Sequence, residues 1–371
     1  MSVLIASSVL RTCLGDGPQT FAALLAGRDG RSPLRPGYPQ QLRVAYGYQV
    51  DGPAGPYAAS RWLADCARRA VAAAGVDTRN VRLACLVGTG LRELSTVEAT
   101  AGEDLAGVPA HRLHFADAVR AAVPGVGDVV TIANACSASG HALALAQDMV
   151  ELGDADAVLV CGTDAMTTSM LAMIGRVVDE PTERVRPFDR DRHGVLLGEG
   201  AAAVVVVPDH GRPALGRLLA TGLSCDAHHE TAPSPEGIVR AMRDALTRAG
   251  ARPADVGLVL AHGTGTALNE PAECAALCEV LLAGGADPLV TGVKGAVGHM
   301  SGTAALANLD VALRCLATGS VPPTVGLRVP LAEAAGLRLV REEPAPLPPG
   351  LVQIDAFGFG GVNAVTLVGA P

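Results

Sequence analysis

The sequence predicts an α/β fold in which helices cover a largely parallel sheet. Short apolar runs bounded by Gly, Asp or Pro recur along the chain, and each has the length of a strand buried on both faces. Stretches with helical periodicity lie between these runs, and this alternation favours parallel strands. Hydrophobic residues make up 49% of the chain but aromatic residues only 3%, so Ala, Val and Leu must form most of the core.

The strands are predicted from the N-terminus onward. Residues 1–6 lack the basic segment and the long apolar run of a signal peptide, and we expect a first strand there. Further runs of the same character lie at 81–87, 129–133, 157–161, 201–207, 256–261 and 289–293. Buried strands are therefore expected in both halves of the chain.

Three helices are predicted from apolar residues spaced three or four positions apart. Their stripes are Ala142, Leu145, Ala146 and Met149; Ile238, Met242, Ala245 and Ala249; and Leu306, Leu309, Leu313 and Leu316. Gly153 and Gly250 follow the first two stripes, as expected at helix C-termini. No linker and no internal repeat is visible, and a short break near Pro213 places a division between residues 1–213 and 214–371.

Composition excludes several functional classes. The net charge of −8 argues against a nucleic-acid binder, which normally carries a basic surplus. No apolar stretch approaches the roughly 18 residues of a membrane span. The nine cysteines have no repeating spacing, and Cys274 and Cys278 lack the second ligand pair of a zinc site. Reduced thiols, and therefore a cytoplasmic location, are expected.

Cys136 lies where a strand, a turn of small residues and a helix follow one another, in 129–140 (VVTIANACSASG). The strand fixes the backbone, the turn exposes the sulfur, and the helix start is expected to lower the thiol pKa well below about 8.5. The pattern predicts a nucleophile that reacts with iodoacetamide ahead of the other cysteines. A buried structural cysteine is the alternative, since that is the commonest environment of the residue.

Two histidines lie in Gly-rich turns. His262 follows the strand at 256–261, at the carboxyl end where α/β folds bind ligands, although a loop histidine that caps a helix would give the same pattern. His299 comes just before a predicted helix, whose positive end disfavours imidazolium, so we expect a neutral ring that donates a hydrogen bond. For His299, too, the pattern alone leaves a structural role open.

Segments throughout the chain resemble the β-ketoacyl synthases of fatty-acid and polyketide assembly. They are 134–139 (NACSAS), 187–189 (PFD), 198–201 (GEGA), 226–229 (DAHH), 262–266 (HGTGT), Lys294 with His299, 321–324 (VPPT) and 357–363 (FGFGGVN). The resemblance covers almost the whole chain and keeps the family's order. It implies a thiolase-like, five-layered α-β-α-β-α fold of two similar halves, with the nucleophile in 1–213 and both histidines in 214–371.

The resemblance implies a decarboxylating Claisen condensation. Cys136 would carry the acyl group, while His262 and His299 would stabilise the enolate that forms when a malonyl thioester loses CO2. The backbone N–H groups of Cys136 and Phe359 would form the oxyanion hole for acyl transfer, and the Phe359 ring would gate the substrate. A C-terminal strand with a Gly-rich bend is the simpler interpretation of 357–363.

Four further residues take roles from the resemblance. Lys294 would face the Glu273 carboxylate and both would order the site, because a buried Lys without a partner is costly, although a structural role stays open. Thr264 and Thr266 would hold the phosphopantetheine arm through their hydroxyls. Their Gly-Thr-Gly-Thr turn also suits a phosphate nest, but it precedes no P-loop lysine. No metal or redox cofactor is expected.

Departures from the family pattern leave the nucleophile and both histidines intact. His193 replaces an acidic residue, which we interpret as a structural change, and Glu270 stands where Asp is usual. Residues 298–305 read GHMSGTAA, without the usual final Gly, and the chain is shorter than typical relatives. These departures concern substrate choice and loop contacts. Flexible side chains that line either the acyl pocket or the core are Met170, Met173 and Ile174.

The resemblance also implies the partners. Substrates would arrive on the phosphopantetheine of an acyl carrier protein. Arg61, Arg68 and Arg69 are candidates for docking that carrier, unless they form an ordinary solvated helix face. The strand at 129–133 would pair across a two-fold axis, in a homodimer or in a heterodimer with a ketosynthase-like chain.

Two alternatives to this function stay open. An acyltransferase or hydrolase on the same fold would use Cys136 without decarboxylation, and both intact histidines argue against it. A non-catalytic chain-length partner of a heterodimer usually lacks the cysteine that this chain keeps.

Overall fold

The computed structural model describes residues 2–52, 55–100, 108–176 and 180–371. Its strands are β1 (Val3–Thr12), β2 (Gly15–Asp16), β3 (Ser32–Pro33), β4 (Tyr46–Gly47), β5 (Leu83–Gly88), β6 (Val129–Ile132), β7 (Ala157–Asp164), β8 (Gly200–Pro208), β9 (Gly216–Cys225), β10 (Val256–Leu260), β11 (Leu289–Thr291), β12 (Ser320–Val321), β13 (Arg338–Leu339), β14 (Ala345–Pro346), β15 (Leu351–Gly358) and β16 (Val362–Gly369). Its α-helices are α1 (Gly17–Leu25), α2 (Ala58–Ala74), α3 (Leu94–Thr100), α4 (Ala116–Ala122), α5 (Ala138–Glu151), α6 (Thr168–Arg176), α7 (Pro235–Ala249), α8 (Asn269–Leu277), α9 (Lys294–Val297) and α10 (Ala304–Thr318).

Two sets of five strands with the same order make up most of the main sheet. The first set runs β1-β8-β7-β5-β6 and the second runs β9-β16-β15-β10-β11. In each set the first three strands are antiparallel and the last three are parallel. The expectation of a largely parallel sheet is therefore wrong, because apolar runs buried on both faces do not specify strand direction.

Helices divide the molecule into five layers. The outer face of the first set is covered by α2, and the outer face of the second by α7, against which α8 packs. Between the two sets lie α5 and α10, in the largest hydrophobic cluster, which includes Leu143, Val160, Leu306 and Ile354. The expected α-β-α-β-α fold of two similar halves is confirmed.

Most predicted elements are present, but β6 and α5 each expose a side chain that was predicted to be buried. The run at 129–133 forms β6, which ends the strand order, and Val130 is 46% exposed rather than buried. In α5, Leu145 is 40% exposed, and the buried face is formed instead by residues such as Leu143 and Val150. The reason is that α5 contacts strands of both sets, so the buried side depends on the second set as well as on spacing. The stripes predicted for α7 and α10 do face the core.

The two halves repeat the same turn before their central helices. A 3-10 turn at Ala135–Ser137 precedes α5, and another at Ser301–Thr303 precedes α10. Each turn starts on a non-glycine residue with positive φ, 59° at Ala135 and 46° at Ser301. The first turn carries Cys136, and the second turn follows His299. The repeat therefore brings the candidate residues of both halves together.

The division at 213/214 falls in the segment between β8 and β9 and stays a prediction. Among the helices in the described ranges, none combines the length and hydrophobicity needed to cross a membrane.

Candidate active site

Cys136 lies in the strained turn between β6 and α5. The backbone of Ala135, just before it, adopts the left-handed region that non-glycine residues rarely occupy. The turn points the Cys136 sulfur at His299, whose Nε2 lies 3.0 Å from Sγ. The predicted pairing of a strand-end cysteine with a histidine 163 positions away is therefore present in the fold.

The expected lowering of the Cys136 pKa is wrong. Burial raises the pKa of the thiol to about 11, while the Lys294 charge and the N–H groups of Phe359 and Cys136 act in the opposite direction. The nearby Asp164 carboxylate adds to the increase. Loss of water around the sulfur outweighs the stabilising groups, so the resting residue is a thiol and needs a base to react.

His262 is almost fully buried at the end of β10. Its Nδ1 accepts the N–H of Phe357 at 3.3 Å and lies 3.3 Å from Lys294 Nζ. Two donors directed at Nδ1 require an unprotonated nitrogen there, which assigns the proton to Nε2. Burial, then the charges of Lys294 and His299, hold the His262 pKa well below its usual value. The ring is therefore neutral and donates through Nε2.

His299 lies edge-on to His262, with ring centroids 5.5 Å apart. Its pKa is also well below the usual value, mainly because of burial and then because of the Lys294 charge. The expected neutral ring is confirmed, but burial is the main cause and the expected helix-end effect is not needed. Both candidate histidines are thus neutral; His299 contacts the sulfur, and His262 contacts His299.

Lys294 is buried without the ion pair that was expected. Its Nζ donates to the His262 carbonyl and contacts the His262 ring, and no carboxylate forms a salt bridge with it among the described residues. Glu273 instead accepts the N–H groups of His262 at 2.6 Å and Gly263 at 2.9 Å. Burial lowers the Lys294 pKa to about 8, which the Glu273 charge opposes at longer range. Both residues fix His262, through separate contacts.

The two backbone N–H groups expected in the oxyanion hole lie at the Cys136 sulfur. Those of Phe359 and of Cys136 itself both hydrogen-bond the thiol and lower its pKa. Gly358 permits this approach, because a Cβ there would lie 3.3 Å from the Cys136 nitrogen. The Phe359 ring is 44% exposed in the turn between β15 and β16, which is an open position for a gate.

The Gly-Thr-Gly-Thr turn after His262 is not a phosphate nest. Glu270 accepts the N–H groups of Gly265 and Thr266, and Glu273 accepts those of the two residues before Thr264. These N–H groups are therefore already occupied by buried carboxylates. The hydroxyls of Thr264 and Thr266 lie 2.9 Å apart and are the polar groups left to hold a phosphopantetheine arm.

Asp164, at the end of β7, is a site residue that the sequence analysis missed. It is buried and accepts the Thr89 hydroxyl at 2.7 Å, together with the N–H groups of Gly90, Leu91 and Gly302. Gly302 belongs to the turn that follows His299, so one carboxylate joins both halves beside Cys136. Burial raises the Asp164 pKa to about 7, against these hydrogen bonds. The signal in the sequence that could have identified Asp164 is an acidic residue at the end of an apolar strand.

The other candidates lie further from the sulfur. Arg68 and Arg69 on α2 form ion pairs with Asp65, and Arg69 also with Asp16, which weakens their case as a free basic patch. His193 is exposed. The apolar residues of α6 pack in a cluster with Leu197, a residue that bridges to His299. The members of that cluster proposed from the sequence are Met170, Met173 and Ile174.

Comparison with known proteins identifies similar chains. Residues 58–210 match the model of the β-ketoacyl synthase N-terminal domain, and residues 215–328 match that of the C-terminal domain. The 3-oxoacyl-[acyl-carrier-protein] synthase 2 of Coxiella burnetii is 32% identical over 256 residues, covering 65% of this chain and 61% of that protein. Nodulation protein E of Rhizobium leguminosarum bv. trifolii is 35% identical over 245 residues, covering 64% of this chain and 61% of that protein. The matches thus span about three fifths of these relatives' length.

Solved structures cover the chain more completely. The ishigamide ketosynthase/chain length factor has a TM-score of 0.90 and 28% identity, covering 100% of this chain and 99% of its own. A β-ketoacyl synthase from Burkholderia phymatum STM815 has a TM-score of 0.87 and 23% identity, with the same coverage. The second similarity shows the shared fold alone.

Proposed function

This chain belongs to the β-ketoacyl synthase family, and we propose that it catalyses a decarboxylative Claisen condensation. The acyl group would be held on Cys136, and the malonyl-type thioester would arrive on an acyl carrier protein, in fatty-acid or type II polyketide-like biosynthesis. One observation carries the proposal. The Cys136 sulfur meets two backbone N–H groups and the neutral His299 ring, and a second neutral imidazole, His262, lies edge-on to His299.

The first stage moves an acyl group from the carrier thiol to Cys136. The Sγ–H proton must leave, and His299 Nε2, 3.0 Å away and neutral, is the base in contact. Sγ bonds to the acyl carbon, the carbon–sulfur bond of the carrier thioester breaks, and the proton passes to the departing thiolate. The N–H groups of Cys136 and Phe359 stabilise the oxyanion between these events.

The second stage uses the imidazoles as donors. When the malonyl thioester loses CO2, the electrons of the broken carbon–carbon bond move into an enolate whose charge collects on the thioester oxygen. His262 Nε2–H stabilises that oxygen. Once Cys136 is acylated it no longer donates to His299, so the neutral His299 ring can carry its proton on Nε2 and donate to the same oxygen. The enolate carbon then attacks the acyl carbonyl and expels Cys136 as a thiolate, which takes up one proton from solvent to restore the thiol. Every bond change is polar, so the reaction is balanced without a metal or redox partner.

The remaining residues would bind the substrate arm or position His262. Thr264 and Thr266 hold the phosphopantetheine arm, while Lys294 and Glu273 keep the His262 ring in place. The chain works as a homodimer, or as the catalytic half of a heterodimer, through the β6 edge. A cytoplasmic location fits the nine cysteines, all of which are free thiols.

The test separates decarboxylation from acyl transfer. Cys136→Ala abolishes acyl loading but still releases CO2 from malonyl-carrier protein, because CO2 loss needs imidazole donors and no covalent bond to sulfur. His262→Ala and His299→Ala each reduce CO2 release by about 10²-fold or more, the usual cost of one lost oxyanion donor. His299→Ala also slows loading, since His299 contacts Sγ, whereas His262→Ala slows it less.

Loading is measured by intact mass and CO2 release with labelled malonate. If Cys136→Ala stops CO2 release as completely as the histidine variants do, the separation of stages is wrong. If neither histidine variant changes CO2 release, an acyltransferase without decarboxylation replaces the proposal.

A further inference from the structure

Asp355 is a buried carboxyl group that the steps proposed above do not use. It lies on β15, is 1% exposed, and forms no salt bridge with a cation among the described residues. Its side chain is in hydrogen-bond contact with that of Glu273, which is also fully buried. Two carboxyl groups in contact do not both ionise, because like charges repel strongly where water is excluded. The pair must therefore hold a proton.

The hydrogen-bond donors around the pair assign that proton to Asp355. Glu273 accepts the backbone N–H groups of His262 at 2.6 Å and Gly263 at 2.9 Å, and a third N–H from a side-chain amide at 3.0 Å. Asp355 receives Gln353 Nε2 at 2.8 Å from Oδ1, while its Oδ2 accepts from no group in the described part of the chain. Donors stabilise a carboxylate, so the negative charge belongs on Glu273 and the proton on the oxygen without a donor.

We propose that Asp355 stays a carboxylic acid in the folded protein and donates its O–H to Glu273, which makes Asp355 a positioning residue for His262. The inference rests on the proposed function and adds a residue to it. Asp355 touches neither the sulfur nor the imidazole, and it acts through the carboxylate that holds the His262 backbone.

The local charges agree with one proton on the pair. Lys294 is a cation whose charge acts on both carboxyl groups, and with one proton present it faces a single negative charge. A second negative charge would be buried without a partner, which is costly. Burial raises the pKa of Asp355 well above its usual value, and the Glu273 charge adds to the rise. Gln353 and Lys294 act in the opposite direction without cancelling it.

One strand links Asp355 to the imidazole. Asp355 and Phe357 are two positions apart on β15, so their side chains lie on the same face. The Phe357 N–H donates to His262 Nδ1 at 3.3 Å, and its ring lies 5.3 Å from the imidazole. The parallel neighbour of β15 is β10, which leads directly into His262. Asp355 thus holds the carboxylate beneath the His262 backbone, while Phe357 holds the His262 ring.

Loss of the Asp355 proton would disturb this arrangement. Two anions in contact would repel, and Glu273 would move away from the N–H groups of His262 and Gly263. The His262 ring would then be misdirected for the enolate oxygen, and CO2 release would fall. Loading of Cys136 depends on other groups at the sulfur, so it should change far less.

The experiment uses two variants and a matched control. Asp355→Asn replaces the O–H donor with an N–H donor and keeps the shape, whereas Asp355→Leu removes the donor. The control is Asp310→Asn, because Asp310 is also 1% exposed but pairs with Arg314 at 2.7 Å and is therefore anionic.

Infrared difference spectra at pH 7 test the proton directly. Wild type minus Asp355→Asn should show the carbonyl stretching band of a protonated carboxylic acid. Wild type minus Asp310→Asn should show carboxylate bands only. If the Asp355 difference also shows carboxylate bands only, Asp355 is an anion and the proposal is overturned.

The rates test the positioning role. A small displacement of a reacting group costs up to about 10²-fold in rate, so Asp355→Leu should lower CO2 release from malonyl-carrier protein by about ten-fold or more. Asp355→Asn should stay within about two-fold of wild type, and Cys136 loading should stay within about two-fold in both variants. Wild-type CO2 release by Asp355→Leu, or an equal loss in both variants, contradicts the role. If Asp355→Leu does not fold, the infrared spectra and Asp355→Asn decide.

Failure of the proposed function gives a different result. If the wild type releases no CO2 from malonyl-carrier protein, the condensation proposal falls. The infrared bands still decide the protonation of Asp355, and nitrogen NMR of isotope-labelled histidine decides the positioning. The His262 ring resonances should shift in Asp355→Leu and remain in place in Asp355→Asn.

Discussion

The sulfur of Cys136 is surrounded by groups that stabilise a thiolate, yet the pKa of the thiol is raised to about 11. Lys294 and two backbone N–H groups act at short range, but they do not replace the water that burial removes. Reactivity must then come from the contact with His299, which can take the proton as the bond forms. Cys136 would therefore be activated by its contact with His299 rather than by a standing negative charge.

Alkylation should follow this high pKa. At pH 7 iodoacetamide should modify the exposed Cys225 ahead of Cys136, the reverse of the order expected from the sequence. The rate at Cys136 should rise about ten-fold per pH unit from pH 7 to about pH 10, because only the thiolate reacts. Peptide mass spectrometry of both sites over this range provides the measurement, with Cys225 as internal control. A Cys136 rate that levels off below pH 8 would contradict the raised pKa.

Asp164 has two effects. Its hydrogen bonds join the two halves, and its charge raises the pKa of Cys136. Substitution separates these effects. Asp164→Asn directs an amide N–H toward backbone donors, so we expect a loss of about 1–3 kcal/mol in unfolding free energy for an unsatisfied buried group. Removing the carboxylate charge also lowers the Cys136 pKa, so the alkylation profile should move to lower pH.

Thr89→Ala is the control for this substitution. It removes one donor to Asp164 but keeps the charge, so it should lower stability without moving the alkylation profile downward. An Asp164→Asn profile that stays at the wild-type pH would rule out the charge effect.

At the scale of elements, the β15–β16 turn decides whether the Phe359 N–H reaches the sulfur. Gly360 and Gly361 both have positive φ, 84° and 75°. They differ in surroundings: a Cβ on Gly361 would lie 1.3 Å from Asp226 Oδ1, whereas nothing lies within 4 Å of one on Gly360. The turn is thus held against the end of β9 at Gly361. A side chain at Gly361 must displace the turn, whereas one at Gly360 need not.

Alanine at these two positions tests the oxyanion hole. Both variants bear a backbone cost of about 1–2 kcal/mol for a left-handed L-residue. Gly361→Ala should also slow acyl loading by about 10²-fold or more, because the turn and its N–H shift away from the sulfur. CO2 release should fall less, since it depends on the histidines. Equal loading rates for Gly360→Ala and Gly361→Ala would show that the Phe359 N–H is not needed.

At the scale of the whole molecule, β6 ends the strand order, and no strand in the described ranges pairs with its outer edge, next to Cys136. Val130 on this edge is 46% exposed, and an unpaired apolar edge strand invites pairing with another chain. A second copy, or a related chain, would extend the sheet across a two-fold axis directly before Cys136. Under the proposed function, assembly through this edge would fix the backbone directly before Cys136.

A charge on this edge should prevent assembly. Val130→Lys is expected to sediment as a monomer where the wild type sediments as a dimer, because Lys on an edge strand opposes pairing. Leu152→Lys, at an apolar position 77% exposed beyond the end of α5, should remain dimeric. A dimeric Val130→Lys variant would place the interface elsewhere.

The sequence by itself determined many of the elements and the candidate site residues. Apolar runs located β1, β5, β6, β7, β8, β10 and β11, and helical stripes located α5, α7 and α10, because burial and periodicity are local properties of the chain. Cys136, His262 and His299 were identifiable because each stands in a Gly- or Ala-rich turn beside a predicted strand or helix. Such turns leave a local signal in residue type and spacing.

Only the tertiary structure decided strand direction, the partners of Lys294, the role of Asp164 and the raised pKa of Cys136. Each depends on groups distant in the chain: Asp164 binds Gly302 across 138 positions, and Cys136 meets His299 across 163. The pKa of a thiol depends on how completely the fold removes water around it. A local pattern shows which groups can stabilise a charge, but the cost of burying that charge is set by the packing of both halves.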